Sequence, residues 1–139
     1  MKPADLKLED IKVGDSASFE RSFSEADVVT FATLSGDTNP LHTDETYAQA
    51  TKFGRRIVHG MLVGSLVSRF VGMHIPGKRC LFLSESLSFK HPVFIGDALV
   101  VTGTVESVSR ATRIVRITIT IHKKTGEEAV HGIAEVQVL

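Results

Sequence analysis

The segment HGMLVGSLVSRFVGMHIPG, residues 59–77, is the longest apolar stretch of the chain and constrains the fold more than any other feature. At helical spacing, Met61, Leu62, Val63, Leu66, Val67, Phe70 and Val71 surround the whole circumference, so this helix is expected to be buried on nearly all sides. Gly60, Gly64, Ser68 and Gly72 recur every four residues and place a stripe of minimal side chains along one face. Glycine inside a helix costs ~1 kcal/mol relative to alanine, so the stripe implies that something approaches that face closely. Pro76-Gly77 closes the segment.

Beyond it the period changes to two. In RIVRITITIH, Val115, Ile117, Ile119 and Ile121 alternate with Arg116, Thr118, Thr120 and His122, the pattern of a half-buried strand. DALVVTGTVESV and EEAVHGIAEVQVL alternate in the same way, with Lys124-Thr125-Gly126-Glu127 as the hairpin turn before the last strand. CLFLSESLSFKHPV supplies another strand ended by Pro92, and residues 15–23 are strand-like. The simplest assembly is an α+β domain in which an antiparallel sheet lays its apolar face over a central buried helix. At 139 residues, with no linker, repeat or low-complexity tract, the chain is expected to form one domain spanning 1–139.

Charge and cysteine content narrow the function classes. Sixteen basic residues balance sixteen acidic ones, so no net field draws the chain to nucleic acid or a membrane surface. No apolar run approaches the ~20 residues of a membrane span, and the polar N-terminus lacks a signal-peptide pattern. Cys80 is the only cysteine, which excludes an intrachain disulfide and suits a reducing compartment; among apolar neighbours it reads as a small core residue. The expected location is the cytoplasm.

Ser24 precedes EADVVTFATLSG, where an N-cap serine, early acidic residues and Gly36 delimit a short helix, and a second is expected at 44–51. Between them lies GDTNPLH, residues 36–42. Asn39-Pro40 is a turn signal that brings Asp37, Asn39 and His42 onto one short loop. A carboxylate and an imidazole so placed could share a water as acid and base; equally, Asp37 could bond only the turn and His42 lie on the surface. His59-Gly60 stands where a loop enters the central helix, whose first N–H groups lack partners and can hold developing negative charge. Gly60 would admit a ligand carbonyl to the backbone, or serve only tight packing. Hydroxyl back-bonding to the preceding turn is the default for Ser65 and Ser68. Lys52, Arg55, Arg56, Lys78 and Arg79 read as a solvated basic rim. The six histidines form no HxxxH pair, so no metal site is expected, and phosphate-loop, dinucleotide and nucleophile-elbow motifs are absent.

FATLSGDTNPLHTDETYA, KFGRRIVHGMLVGSLVSRFVG and LSFKHPVFIGDAL together resemble the MaoC-like, (R)-specific enoyl-CoA hydratases of the hot-dog fold, from about residue 20 to the C-terminus. The resemblance implies a long helix wrapped by an antiparallel sheet, in a homodimer or larger homo-oligomer with sites at the subunit interface. It implies reversible syn addition of water to a trans-2-enoyl-CoA, giving an (R)-3-hydroxyacyl-CoA, with no cofactor beyond the coenzyme A of the substrate. Asp37 and His42 match the family's catalytic pair. Gly60 matches the backbone donor to the thioester carbonyl and Ser68 an active-site serine, with Asn39 and His59 in the same motifs as substrate-binding positions. The glycine stripe is then expected to leave room around an acyl chain. A non-catalytic acyl-CoA sensor and a thioesterase on the same fold are the rivals; a sensor has no need of the acid–base pair, and a thioesterase would release free thiol.

Overall fold

In the computed structural model, which describes residues 1–139, the alternating segments form one five-stranded antiparallel sheet. Its strands are β1 (Ser16–Arg21), β2 (Cys80–Phe89), β3 (Leu99–Ser109), β4 (Ile114–Lys123) and β5 (Glu128–Val138), in the order β1-β3-β4-β5-β2. The register sets Val101 opposite Ile121, Val105 opposite Ile117 and Val136 opposite Val115, so the apolar members of each strand share one face. All six are buried. A turn closes the β4–β5 hairpin through bonds from Gly126 N to Lys123 O and from Lys123 N to Glu127 O, with Gly126 at φ 105°.

The first half of the chain forms four helices: α1 (Glu25–Ser35), α2 (Pro40–Thr43), α3 (Glu45–Gln49) and α4 (Gly60–Met73). Ser24 and Asp27 make a reciprocal capping box at the start of α1, and Gly36 ends it in the left-handed region at φ 79°. The segment after Asn39 is more ordered than a turn. Asn39 Oδ1 accepts from Leu41 N, Pro40 occupies the first helical position, and residues 40–43 complete one helical turn, α2. Asp44 then caps α3.

α4 packs against β2, β3 and β5, with Val63, Leu66, Val67, Phe70 and Val71 in the core. Gly103, in the middle of β3, gives the Phe70 ring its place; a side chain there would run into that ring. The expectation of burial on nearly all sides is not met. Met61 is 57% exposed, and Ser65 and Ser68 are exposed beside it, so one face of α4 has no cover within this chain. The glycine stripe is also not open room. A Cβ at Gly60 would lie 3.3 Å from the Phe89 ring and one at Gly64 would lie 3.0 Å from Leu87, while Gly72 has open space. Side chains of the edge strand β2 fill the space that the sequence reading reserved for an acyl chain. Cys80 is half-buried against the core, and burial pushes its thiol pKa up, away from a nucleophile's range.

Candidate active site

The loop between α1 and α2 is held from within. Asp37 N donates to Ser35 Oγ at 3.1 Å, and Asp37 Oδ1 accepts from Asn39 N at 3.2 Å. Asp37 therefore does bond the turn, through one carboxylate oxygen, and remains exposed. Thr43 Oγ1 donates back to the carbonyls of Thr38 and Asn39, both at 3.2 Å, which fixes α2 on the loop.

α2 is tied in turn to the segment that leads into α4. Ile57 N donates to Leu41 O at 3.3 Å, and His42 Nδ1 bonds Ile57 O at 2.8 Å. A carbonyl can only accept, so Nδ1 carries the hydrogen, and in the neutral ring Nε2 presents its lone pair. Val58 N donates to Val93 O at 2.7 Å, anchoring the same segment to the chain between β2 and β3. Arg56 adds ion pairs to Glu25 of α1 at 2.8 Å and Glu45 of α3 at 3.0 Å, with its side chain only 11% exposed. Desolvation costs less than these two carboxylates supply, and the guanidinium pKa is raised by them, Glu25 first. Arg56 thus joins three elements around the site, contrary to the expected solvated rim. Arg55 lies over the Phe94 ring at 3.9 Å, and Lys78 and Arg79 pair with Asp5.

His59 stands at the N-cap position of α4 with its ring turned away from the helix amides. Its Nε2 donates to Asp37 O at 2.9 Å, its face lies 4.0 Å from the His42 ring, and Phe31 meets it edge-on at 4.9 Å. Asp37, His42 and His59 offer one ligand-type atom each within 4.8 Å of one another. Spacing in the sequence argued against any metal site, yet the fold gathers three donors that could touch one ion. A water-activating acid–base site makes the same demand on these residue types.

No side chain caps α4, so the first amides of its N-terminus stay available beside this cluster. A cavity of about 230 Å³ is walled by Ile57, Gly60, Val63, Phe89 and Val130. A cleft of about 450 Å³ between α1 and α4 is walled by Phe31, Leu62, Leu66 and Arg69. Neither has Asp37, His42 or His59 in its walls.

The expected site residues are therefore brought together unequally. Asp37, His42 and His59 converge, and Gly60 follows His59 as the first residue of α4. Asn39 is adjacent, with its carbonyl oxygen used to cap α2. His59 is only 1% exposed, so its contacts in this chain are with protein atoms. Ser65 back-bonds to Leu62 O at 2.6 Å. Ser68 stands about 12 Å along the helix from Gly60, on the uncovered face. The sequence reading missed Phe31 and the Ile57 carbonyl and misread Arg56. Of these only Arg56 carried a signal, its charge beside an otherwise apolar helix entrance.

The MaoC like domain family matches residues 10–127. An (R)-specific enoyl-CoA hydratase of Aeromonas caviae is 41% identical over 133 residues, covering 96% of this chain and 99% of the relative. One from Rhodospirillum rubrum is 43% identical over 133 residues, covering 94% and 90%. Among solved structures, an (R)-hydratase from A. caviae involved in PHA biosynthesis superposes with a TM-score of 0.91 at 41% identity, covering 94% of this chain and 99% of that one.

Proposed function

The chain belongs to the MaoC-like domain family of the hot-dog fold, and on that premise we propose that it is an (R)-specific enoyl-CoA hydratase, a hydro-lyase acting reversibly on trans-2-enoyl-CoA. One observation supports this above all: the exposed Asp37 carboxylate and a His42 ring locked by the Ile57 carbonyl meet beside an uncapped helix start.

In this reading a water sits between Asp37 and His42 Nε2. Asp37 is the main base toward that water, and His42 orients it as partner. The hydroxyl oxygen bonds to the β-carbon of the enoyl thioester as a proton reaches the α-carbon on the same face, giving syn addition. Negative charge moves through the conjugated system onto the thioester oxygen, where the N–H of Gly60 and the field of the α4 N-terminus receive it. Hydration transfers no electrons, so no redox cofactor enters this reading.

The site is completed, we infer, by a second copy of the chain. The acid–base pair lies outside both cavity walls, α4 leaves Met61 uncovered, and the edge strand β2 leaves Leu81, Leu83 and Phe89 about half exposed. Ser68, distant from its own chain's cluster, stands on that same uncovered face. The relative involved in PHA biosynthesis makes polyester precursor supply one setting for the product. No helix here is long and apolar enough to cross a membrane, and we propose a cytoplasmic location.

The test follows loss of the conjugated enoyl-thioester absorbance with crotonyl-CoA while free thiol is tracked in parallel. Absorbance loss without thiol, giving (R)-3-hydroxybutyryl-CoA and falling ~10²–10⁴-fold in Asp37→Asn, is the expected result. Thiol release would point to a thioesterase. Tight acyl-CoA binding without turnover at any chain length would point to a sensor.

A further inference from the structure

His59 has a placement that packing alone does not require. Its ring is buried, yet Nδ1 has no hydrogen-bond partner. Leucine or phenylalanine would fill such a space without stranding a polar atom. The other nitrogen shows what the histidine contributes. Nε2 donates to Asp37 O, so in the neutral ring Nε2 holds the hydrogen and Nδ1 is bare. The ring face lies under His42, with the planes 29° apart, and the His59 backbone carbonyl accepts from Leu62 N at 3.0 Å and Val63 N at 3.1 Å. The main chain of one acid–base residue, the ring of the other and the first turn of α4 all meet on this side chain and its backbone.

We propose that His59 is a positioning residue that registers Asp37 and His42 against the start of α4, its Nε2–H holding the Asp37 loop and its face seating the His42 ring. It touches no reacting atom. The two functions are separable by substitution: His59→Phe keeps a flat ring and loses the donor, whereas His59→Gln keeps a donor and loses the ring. The kinetic consequence rests on the hydratase reading; the geometry does not.

The experiment pairs steady-state hydration of crotonyl-CoA with nitrogen-detected NMR of histidine-labelled protein, for the wild type, His59→Phe and His59→Gln, with thermal melts as a folding control. In the wild type, His59 is expected as the Nε2–H tautomer and His42 as the Nδ1–H tautomer. A misplacement of about 1 Å costs on the order of 10²-fold, so kcat should fall ~10²-fold in His59→Phe with KM within ~2-fold. His59→Gln should recover about a tenth of wild-type kcat because the Asp37 loop stays tied. Loss of melting temperature with kcat per folded molecule unchanged would overturn the proposal, leaving His59 a core residue. An Nδ1–H tautomer at His59 would overturn it in the wild type alone, even if neither variant folds. Absence of wild-type turnover would instead count against the hydratase reading, and the His42 resonances, displaced in His59→Phe or not, would still decide the positioning role.

Discussion

The two ends of α4 each carry a histidine with one buried nitrogen left unpartnered, Nδ1 of the buried His59 and Nε2 of the half-buried His74, yet the two ends are built differently. At the N-terminal end the ring is wedged among Phe31, His42 and the Asp37 carbonyl, next to the exposed carboxylate and the open helix start. At the C-terminal end His74 caps α4 between Phe19 and Phe70, with ring centroids at 5.1 and 5.7 Å, and the Arg69 guanidinium lies over the Phe19 ring at 4.2 Å. A buried polar atom without a partner costs about 1–3 kcal/mol wherever it sits. At one end that cost accompanies a hydrogen bond to the Asp37 backbone, which carries the proposed base. At the other it accompanies only aromatic stacking. The same side chain in the same helix is read as function or as core by what its second nitrogen touches.

The sharpest way to break this contrast is to remove His42, which only the first end should feel. His42→Ala is expected to lower kcat for enoyl-CoA hydration ~10²–10⁴-fold. The ring is half-buried and holds one bond to the Ile57 carbonyl, so the melting temperature should move by no more than a few degrees, corresponding to about 1 kcal/mol. Circular dichroism melts beside initial rates measure both. A parallel collapse of stability would show the two ends to be one structural unit.

The reverse experiment strikes the core end. Gly103 yields its space to the fully buried Phe70 ring, and Gly103→Ala would force that ring off its position beside His74. Overpacking of this kind costs about 1–3 kcal/mol. Denaturant unfolding should show the loss, while kcat per folded molecule stays near wild type because α4 transmits little strain to its opposite end. A kcat loss larger than tenfold would show that the helix start is set by the packing of its last turns.

How much of this was legible in the sequence follows the same division. The sheet was: residues 115–121 alternate without a break, and the pattern alone puts Ile117, Ile119 and Ile121 on one buried face. The α1 cap was also local, because Ser24 and Asp27 satisfy each other within one turn. The proposed acid–base pair, Asp37 and His42, was legible as a motif, though not its geometry. That depends on the Ile57 carbonyl fifteen residues from His42, and a backbone carbonyl has no residue type to read. Arg56 was misread because its partners, Glu25 and Glu45, are thirty-one and eleven residues away. The uncovered face of α4 was misread for a different reason. Apolar content reports that a face is to be covered and is silent on whether the same chain covers it, and Met61 shows the difference.

The smallest effect concerns pH and the core end alone. Burial, with a further push from the Arg69 charge, holds the His74 imidazole below its ordinary value near 6.5. In the unfolded chain that push is gone, so as pH falls through about 6.5 the unfolded state takes a proton that the folded state declines. Stability from neutral His74 is therefore complete above that pH and is lost progressively below it, until the folded ring also protonates. Replacing the ring with one that cannot titrate should remove this component: His74→Phe is expected to flatten the fall in melting temperature between pH 7 and pH 5 relative to wild type. It also removes the stranded Nε2, so the variant should melt no lower than wild type at pH 7. Because Phe19 and Phe70 can stack on phenylalanine as they do on histidine, the aromatic layer should persist. An unchanged slope would assign the acid sensitivity to other groups and leave His74 silent, whereas a large drop at pH 7 would mean that its ring makes a polar contact on which the end of α4 depends.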